Sequence, residues 1–63
     1  MITQQQHQYI AENRTNTSTS NVLALSSIYT SVTGQKINYC TCNHNGRRLI
    51  LSTFLAWYDE NYL

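Results

Sequence analysis

With 63 residues the chain can form one small domain, and a chain of about 60 residues buries only ~60% of the surface that it exposes when unfolded. This excludes a cleft between two domains and a nucleotide-binding βαβαβ unit. Charged residues make up 11% of the chain and the net charge is +1, so the broad positive surface typical of nucleic-acid-binding proteins is excluded as well. No pattern of residues identifies a reaction, and we expect a non-enzymatic protein without catalytic residues or cofactors.

The first segment predicts a short helix over about residues 3–13. Thr3 can cap it and Gln6 can return the hydrogen bond, which makes a T-x-x-Q capping box. Its apolar side chains are few, chiefly Tyr9 and Ile10. We therefore expect this helix to contribute little to a core and to need an external surface.

A polar linker follows over residues 13–20. Its short Asn, Ser and Thr side chains compete with the helical backbone for hydrogen bonds, which favours a loop. We expect residues 1–20 to be ordered by partners within a single small domain that spans residues 1–63.

The second segment predicts an amphipathic helix over residues 21–33, with Ser20 or Asn21 as its N-cap. Apolar residues recur at helical spacing, at Val22, Leu25, Ile28, Tyr29 and Val32. Gly34 is placed to end the helix in a left-handed conformation. Residues 35–42 then alternate polar and apolar side chains and are predicted to form an extended connector.

The third segment predicts a helix over about residues 45–61 that starts after Asn43 or Asn45. It carries two overlapping apolar faces, formed by Ile50, Leu51, Phe54, Leu55, Trp57, Tyr58 and Tyr62. These exceed the stripe of about 100° that a surface helix buries. The second helix alone cannot cover both faces, so either the first helix or another protein covers the rest. The sequence thus predicts an all-α protein of three helices.

The motif Cys40-x-Cys42-x-His44 contains three residues of types that bind zinc. Structural zinc sites use four ligands, and although His7 could supply the fourth, nothing in the sequence places it nearby. A catalytic Cys42–His44 pair is a second interpretation, and a loop without special chemistry is the third. Because a disulfide between the two cysteines would close a very small ring, we expect reduced thiols. Because a fourth ligand is not placed nearby, we expect no metal.

Charges at the two ends of the third helix oppose its dipole. Arg47 and Arg48 lie in its first turn, whereas Asp59 and Glu60 lie near its end. They could orient an acidic or phosphorylated partner, match the opposite end of a neighbouring helix, or simply be solvated.

Six tyrosine and tryptophan side chains are a further signal, since interfaces favour these residue types. They are Tyr9, Tyr29, Tyr39, Trp57, Tyr58 and Tyr62. A tyrosine-rich core would use them equally well, and stacking on nucleic-acid bases is a third alternative.

The run from Ile28 to Ile37, followed by Cys40, Cys42 and a helix, resembles a group of small helical proteins of Bacteroidota phages. In that group a Tyr-x4-Gly helix end, here Tyr29 to Gly34, precedes a cysteine pair. The group usually has C-x-x-C, whereas this chain has C-x-C. The resemblance implies a phage-encoded, mainly helical protein and no activity.

From these observations we expect a structural or interaction protein, a minor capsid, decoration or connector component of a bacteriophage virion. Its partners would be other virion proteins or copies of itself, with no membrane involved, since neither a signal peptide nor a run of about 20 apolar residues is found. The expected partner-binding residues are Arg47, Arg48, Ile50, Trp57 and Tyr62, with Ile50 and Trp57 facing outward. The alternative is a small nucleic-acid-binding or regulatory phage protein that uses Arg14, Lys36, Arg47 and Arg48.

Overall fold

A computed structural model describes residues 2–62 and contains three α-helices and no strand within that range. Helix α1 spans Gln4–Glu12, α2 spans Thr19–Thr33 and α3 spans His44–Tyr62. The all-α prediction is confirmed, and α2 begins two residues earlier than predicted.

Local side-chain hydrogen bonds define the helix ends. The Thr3 hydroxyl accepts from the Gln6 backbone N–H at 3.2 Å while the Gln6 side chain accepts from the Thr3 N–H at 2.9 Å, so the predicted capping box is confirmed. Asn43 caps α3 by accepting from the Gly46 N–H at 2.7 Å. Ser18, and not Ser20 or Asn21, caps α2.

The core lies where the three helices meet. It consists of Ile2, Ile10, Val22, Leu25, Ile28, Ile50, Leu51, Phe54 and Tyr58, with Tyr29, Val32, Ile37, Leu55 and Trp57 packed at its edge. The predicted stripe of α2 and the predicted Leu51–Tyr58 face of α3 are therefore confirmed. The prediction that Ile50 faces outward is wrong, because this side chain is only 2% exposed.

Helix α1 contributes to the core as well. Although α1 has few apolar residues, Ile10 is 1% exposed and Ile2, just before the helix, is 6% exposed. The expectation that this segment contributes little to the core is wrong. Of the two alternatives for the surplus apolar surface of α3, the structure adopts the intramolecular one.

A buried amide fastens the linker between α1 and α2. The side chain of Asn21 is almost fully buried, and its Nδ2 donates to the carbonyl oxygens of Asn16 at 2.6 Å and Asn13 at 3.4 Å. Two carbonyl groups of the linker are thus satisfied without a helix. These two hydrogen bonds help to order the linker from within the chain. The ordering of residues 1–20 by partners stays a prediction.

The connector after α2 ends in a turn rather than continuing as an extended segment. Gly34 ends α2 with φ of 74°, as predicted, and residues 35–40 form no regular structure. At residues 41–43 the chain turns, and Cys40 and Cys42 are joined by a disulfide. The expectation of reduced thiols is wrong, because the turn brings the two Cα atoms to 5.3 Å, whereas an extended chain would hold them ~6.6 Å apart.

Candidate interaction surfaces

Arg47 connects three parts of the chain. Its Nε donates to the Thr17 carbonyl oxygen in the linker at 3.0 Å, and its Nη1 donates to the Thr41 carbonyl oxygen in the turn at 3.0 Å. The side chain is half-buried. Arg47 therefore has an internal role, which the dipole argument did not suggest, and its contact with a partner stays a prediction.

Replacing Arg47 with methionine is expected to destabilise the fold by about 1–2 kcal/mol, because two carbonyl groups lose a charged donor. Arg48→Met is the matched control, since Arg48 is the next residue of the same helix and is exposed. Urea unfolding of both variants at low protein concentration measures the difference. Equal stabilities would contradict the role assigned to Arg47.

Arg14 and Asp59 form a two-pronged ion pair between the linker and α3. The guanidinium Nη1 and Nη2 atoms lie 3.0 and 2.8 Å from Oδ1 and Oδ2 of Asp59. The hydrogen bonds from Arg14 lower the pKa of the Asp59 carboxyl, and the same bonds raise the pKa of the Arg14 guanidinium. The positive charge of Arg14 thus compensates for the unfavourable interaction between the Asp59 carboxylate and the dipole at the C-terminal end of α3.

This pair makes stability depend on acid pH. The pKa of Asp59 is lower in the folded chain than in the unfolded one, where it is ~3.9, so the pair stabilises the fold above that value. The contribution is lost as the pH falls through the folded-state pKa. Thermal unfolding should show Asp59→Asn less stable than the parent at neutral pH, with a gap that narrows as the pH falls below ~3.9. The control is Glu60→Gln, and a gap that does not change with pH would refute the prediction.

An aromatic cluster runs along the second half of α3 and joins all three helices. From α1, His7 shares a hydrogen bond of 2.6 Å between its Nδ1 and the Tyr58 hydroxyl, and its ring lies 5.4 Å from that of Tyr62. From α2, Tyr29 meets Trp57 edge-on at 5.1 Å. Trp57 is therefore partly buried against the core, and the expectation that it faces outward is met only in part.

One side of α3 lies away from the core. It carries Arg48, Leu49, Ser52, Ala56 and Glu60, all of them exposed, and we call it the outer face. Spacings of three and four residues place these side chains on one side of the helix. Leu49 is 48% exposed, a large apolar side chain beside two small ones.

A groove of about 770 Å³ lies between this outer face and the linker. Thr15 and Thr17 line it on the linker side, and Arg48, Ser52 and Leu55 line it on the side of α3. Leu49 and Leu55 both line the groove, so the groove adds apolar surface to that of the outer face. A partner helix that lies on α3 could therefore also contact the linker.

The structure does not bring all of the residues predicted to bind a partner together, although the rings of Trp57 and Tyr62 lie 5.6 Å apart. Ile50 is in the core, Arg47 is bonded internally, and Trp57 is partly covered. Arg48 and Tyr62 are both exposed but lie ~21 Å apart along α3. Sequence reasoning missed Leu49 and Ala56, although their spacing outside the core stripe was a usable signal.

Two features are absent from residues 2–62, the part of the chain that the structure describes. Within them no group of three or more His, Cys, Asp or Glu side chains is arranged to hold a metal ion. None of the three helices is long and apolar enough to cross a membrane. In comparisons with known proteins, no family model, no characterised protein and no solved structure matches this chain significantly.

Proposed function

We propose that this chain is a non-enzymatic structural subunit that associates with a second copy of itself through the outer face of α3. The resemblance to small phage proteins implies a phage-encoded chain, and we propose that it is a minor capsid, decoration or connector component of the virion. The observation that carries the proposal is the exposed Leu49 on the outer face. The other side chains of this face are small, at Ser52 and Ala56, or carry opposite charges at its two ends, at Arg48 and Glu60.

The charges favour an antiparallel pairing of two α3 helices. Arg48 and Glu60 lie twelve residues apart, near opposite ends of the outer face. A two-fold axis that crosses the outer face midway between them, at the height of residue 54 along the helix, places each arginine opposite the partner's glutamate. Glu60 is exposed, whereas Asp59 is paired with Arg14. The same axis sets Ser52 against Ala56, and such small side chains let two helices approach closely.

Low charge supports association as well. A net charge of +1 gives little repulsion between copies, and exposed apolar side chains on one face gain free energy when they are covered. The charged pairs at the ends of the face would fix the orientation rather than supply most of the affinity.

Charge reversal tests the proposed orientation. Arg48→Glu and Glu60→Arg should each weaken the dimer, because each places like charges opposite one another, and the double variant should recover it. Sedimentation velocity of the four proteins measures the effect. Glu12→Arg is a control on an exposed position of α1. A double variant that is weaker than both single variants would contradict an antiparallel pairing.

Binding to nucleic acid is the alternative, and the structure leaves it few cations. Of the four basic residues, Arg14 is paired with Asp59 and Arg47 is bonded to two carbonyl groups. Lys36 and Arg48 remain exposed. A phosphate-binding surface would make affinity fall steeply as salt rises, whereas association through Leu49 would not.

A further inference from the structure

We propose that the Cys40–Cys42 disulfide is a site of thiol–disulfide exchange that accepts electrons from a small or protein-borne dithiol. The two cysteines are joined across a single residue, and both are exposed in the turn that precedes α3. A reductant can therefore reach the sulfur atoms without unfolding the domain.

The surrounding donors prepare one sulfur atom to leave as a thiolate. The backbone N–H of Cys42 donates to the Sγ of Cys40 at 3.2 Å, whereas the Sγ of Cys42 has only the longer contact of 3.7 Å from the Nδ2 of Asn43. A hydrogen bond to sulfur stabilises the thiolate more than the neutral forms, and a better-stabilised thiolate leaves faster. Cys40 is thus the leaving sulfur, and the attack is directed at the Sγ of Cys42.

The reaction proceeds in two steps that balance. A thiolate of the dithiol attacks the Cys42 Sγ, the bond between the two cysteine sulfurs breaks, and Cys40 leaves as a thiolate. In the mixed disulfide the first sulfur of the reductant is bonded to the Sγ of Cys42. The second thiolate of the reductant then attacks that first sulfur, Cys42 leaves as a thiolate, and the reductant is left as a cyclic or internal disulfide. Two electrons and two protons pass from the dithiol to the cysteine pair.

The fold also connects this site to the rest of the domain. Thr41, the residue between the cysteines, accepts the hydrogen bond from Arg47, which also holds Thr17 of the linker. The Cys40 carbonyl packs against Gly46 in the first turn of α3. The turn is therefore tied to the linker and to α3 by contacts that do not involve the sulfur atoms.

The test compares the oxidised protein with a disulfide-bonded heptapeptide of residues 38–44, which has the same sequence without the fold. Dithiothreitol is the probe, and thiols released with time are trapped by alkylation and counted by mass. We expect the protein to be reduced at least about threefold faster than the peptide. Equal or slower reduction would overturn the proposal.

The assigned leaving sulfur is tested with the two single variants. The remaining Cys40 thiol in Cys42→Ser should react with iodoacetamide at neutral pH about threefold faster than the Cys42 thiol in Cys40→Ser, because only Cys40 keeps the backbone donor. Circular dichroism checks that both variants fold. The reverse order of rates would overturn the assignment, and if either variant fails to fold, the comparison of protein with peptide alone decides.

Discussion

Replacing Phe54 with alanine is expected to destabilise the chain by ~3–5 kcal/mol, which approaches the whole stability of a domain of this size. Phe54 is fully buried on α3, and its ring lies near those of Trp57 and Tyr58, at 5.6 and 6.0 Å. A domain this small cannot collapse around the cavity without separating α3 from its neighbours. Far-UV circular dichroism and urea unfolding measure the loss.

The matched control is Leu49→Ala on the same helix. It removes an apolar side chain of similar kind from a position that is 48% exposed, so the monomer should lose little stability. Measurements at low protein concentration separate this effect from association. A loss below about 1 kcal/mol for Phe54→Ala would contradict the assignment of the core.

Gly46→Ala is the second substitution with a large expected effect. A Cβ atom at Gly46 would overlap the carbonyl oxygen of Cys40, lie 2.9 Å from its carbonyl carbon and lie 3.3 Å from Oδ1 of Asn43. These neighbours are main chain and a helix cap, which cannot rotate away as the end of a long side chain could. We expect a loss of about 1–3 kcal/mol, although alanine is the better helix former.

Two other substitutions serve as controls for the glycine. Asn45→Ala, at the preceding exposed position, should have little effect on stability. Gly34→Ala tests a different mechanism, because Gly34 has open space around it but a φ of 74°, so its cost is about 1 kcal/mol of backbone strain. Stabilisation by Gly46→Ala would show that α3 does not pack against the disulfide turn.

The helices and most of the core could be predicted because their signals are local. The capping box at Thr3 and Gln6, the stripe of α2 and the left-handed Gly34 each depend on residues a few positions apart. The inner face of α3 around Phe54 followed from periodicity in the same way.

The errors arose where contacts join distant parts of the chain. Ile50 is predicted to face outward because α3 carries more apolar surface than the stripe of α2 can cover, yet it is buried in a core to which Ile10 and Ile2 also contribute. Arg47 was interpreted through the helix dipole, whereas its partners lie in the linker and in the turn. No periodicity in the sequence encodes those distances.

The candidate surface was predicted only in part. Arg48 was named from its charge and is exposed on the outer face. Leu49 and Ala56 were missed because they lie outside the apolar stripe, and a helix with surplus apolar surface is expected to expose its largest apolar side chains. In the structure those side chains are shared among three helices, and a smaller apolar area remains outside.

Sedimentation equilibrium of the wild-type protein, from about 10 μM to about 1 mM, tests most directly whether this chain is a self-associating subunit. The account predicts a molar mass that rises from 7.3 kDa towards twice that value as concentration increases. A folded chain that stays at 7.3 kDa over the whole range would contradict it.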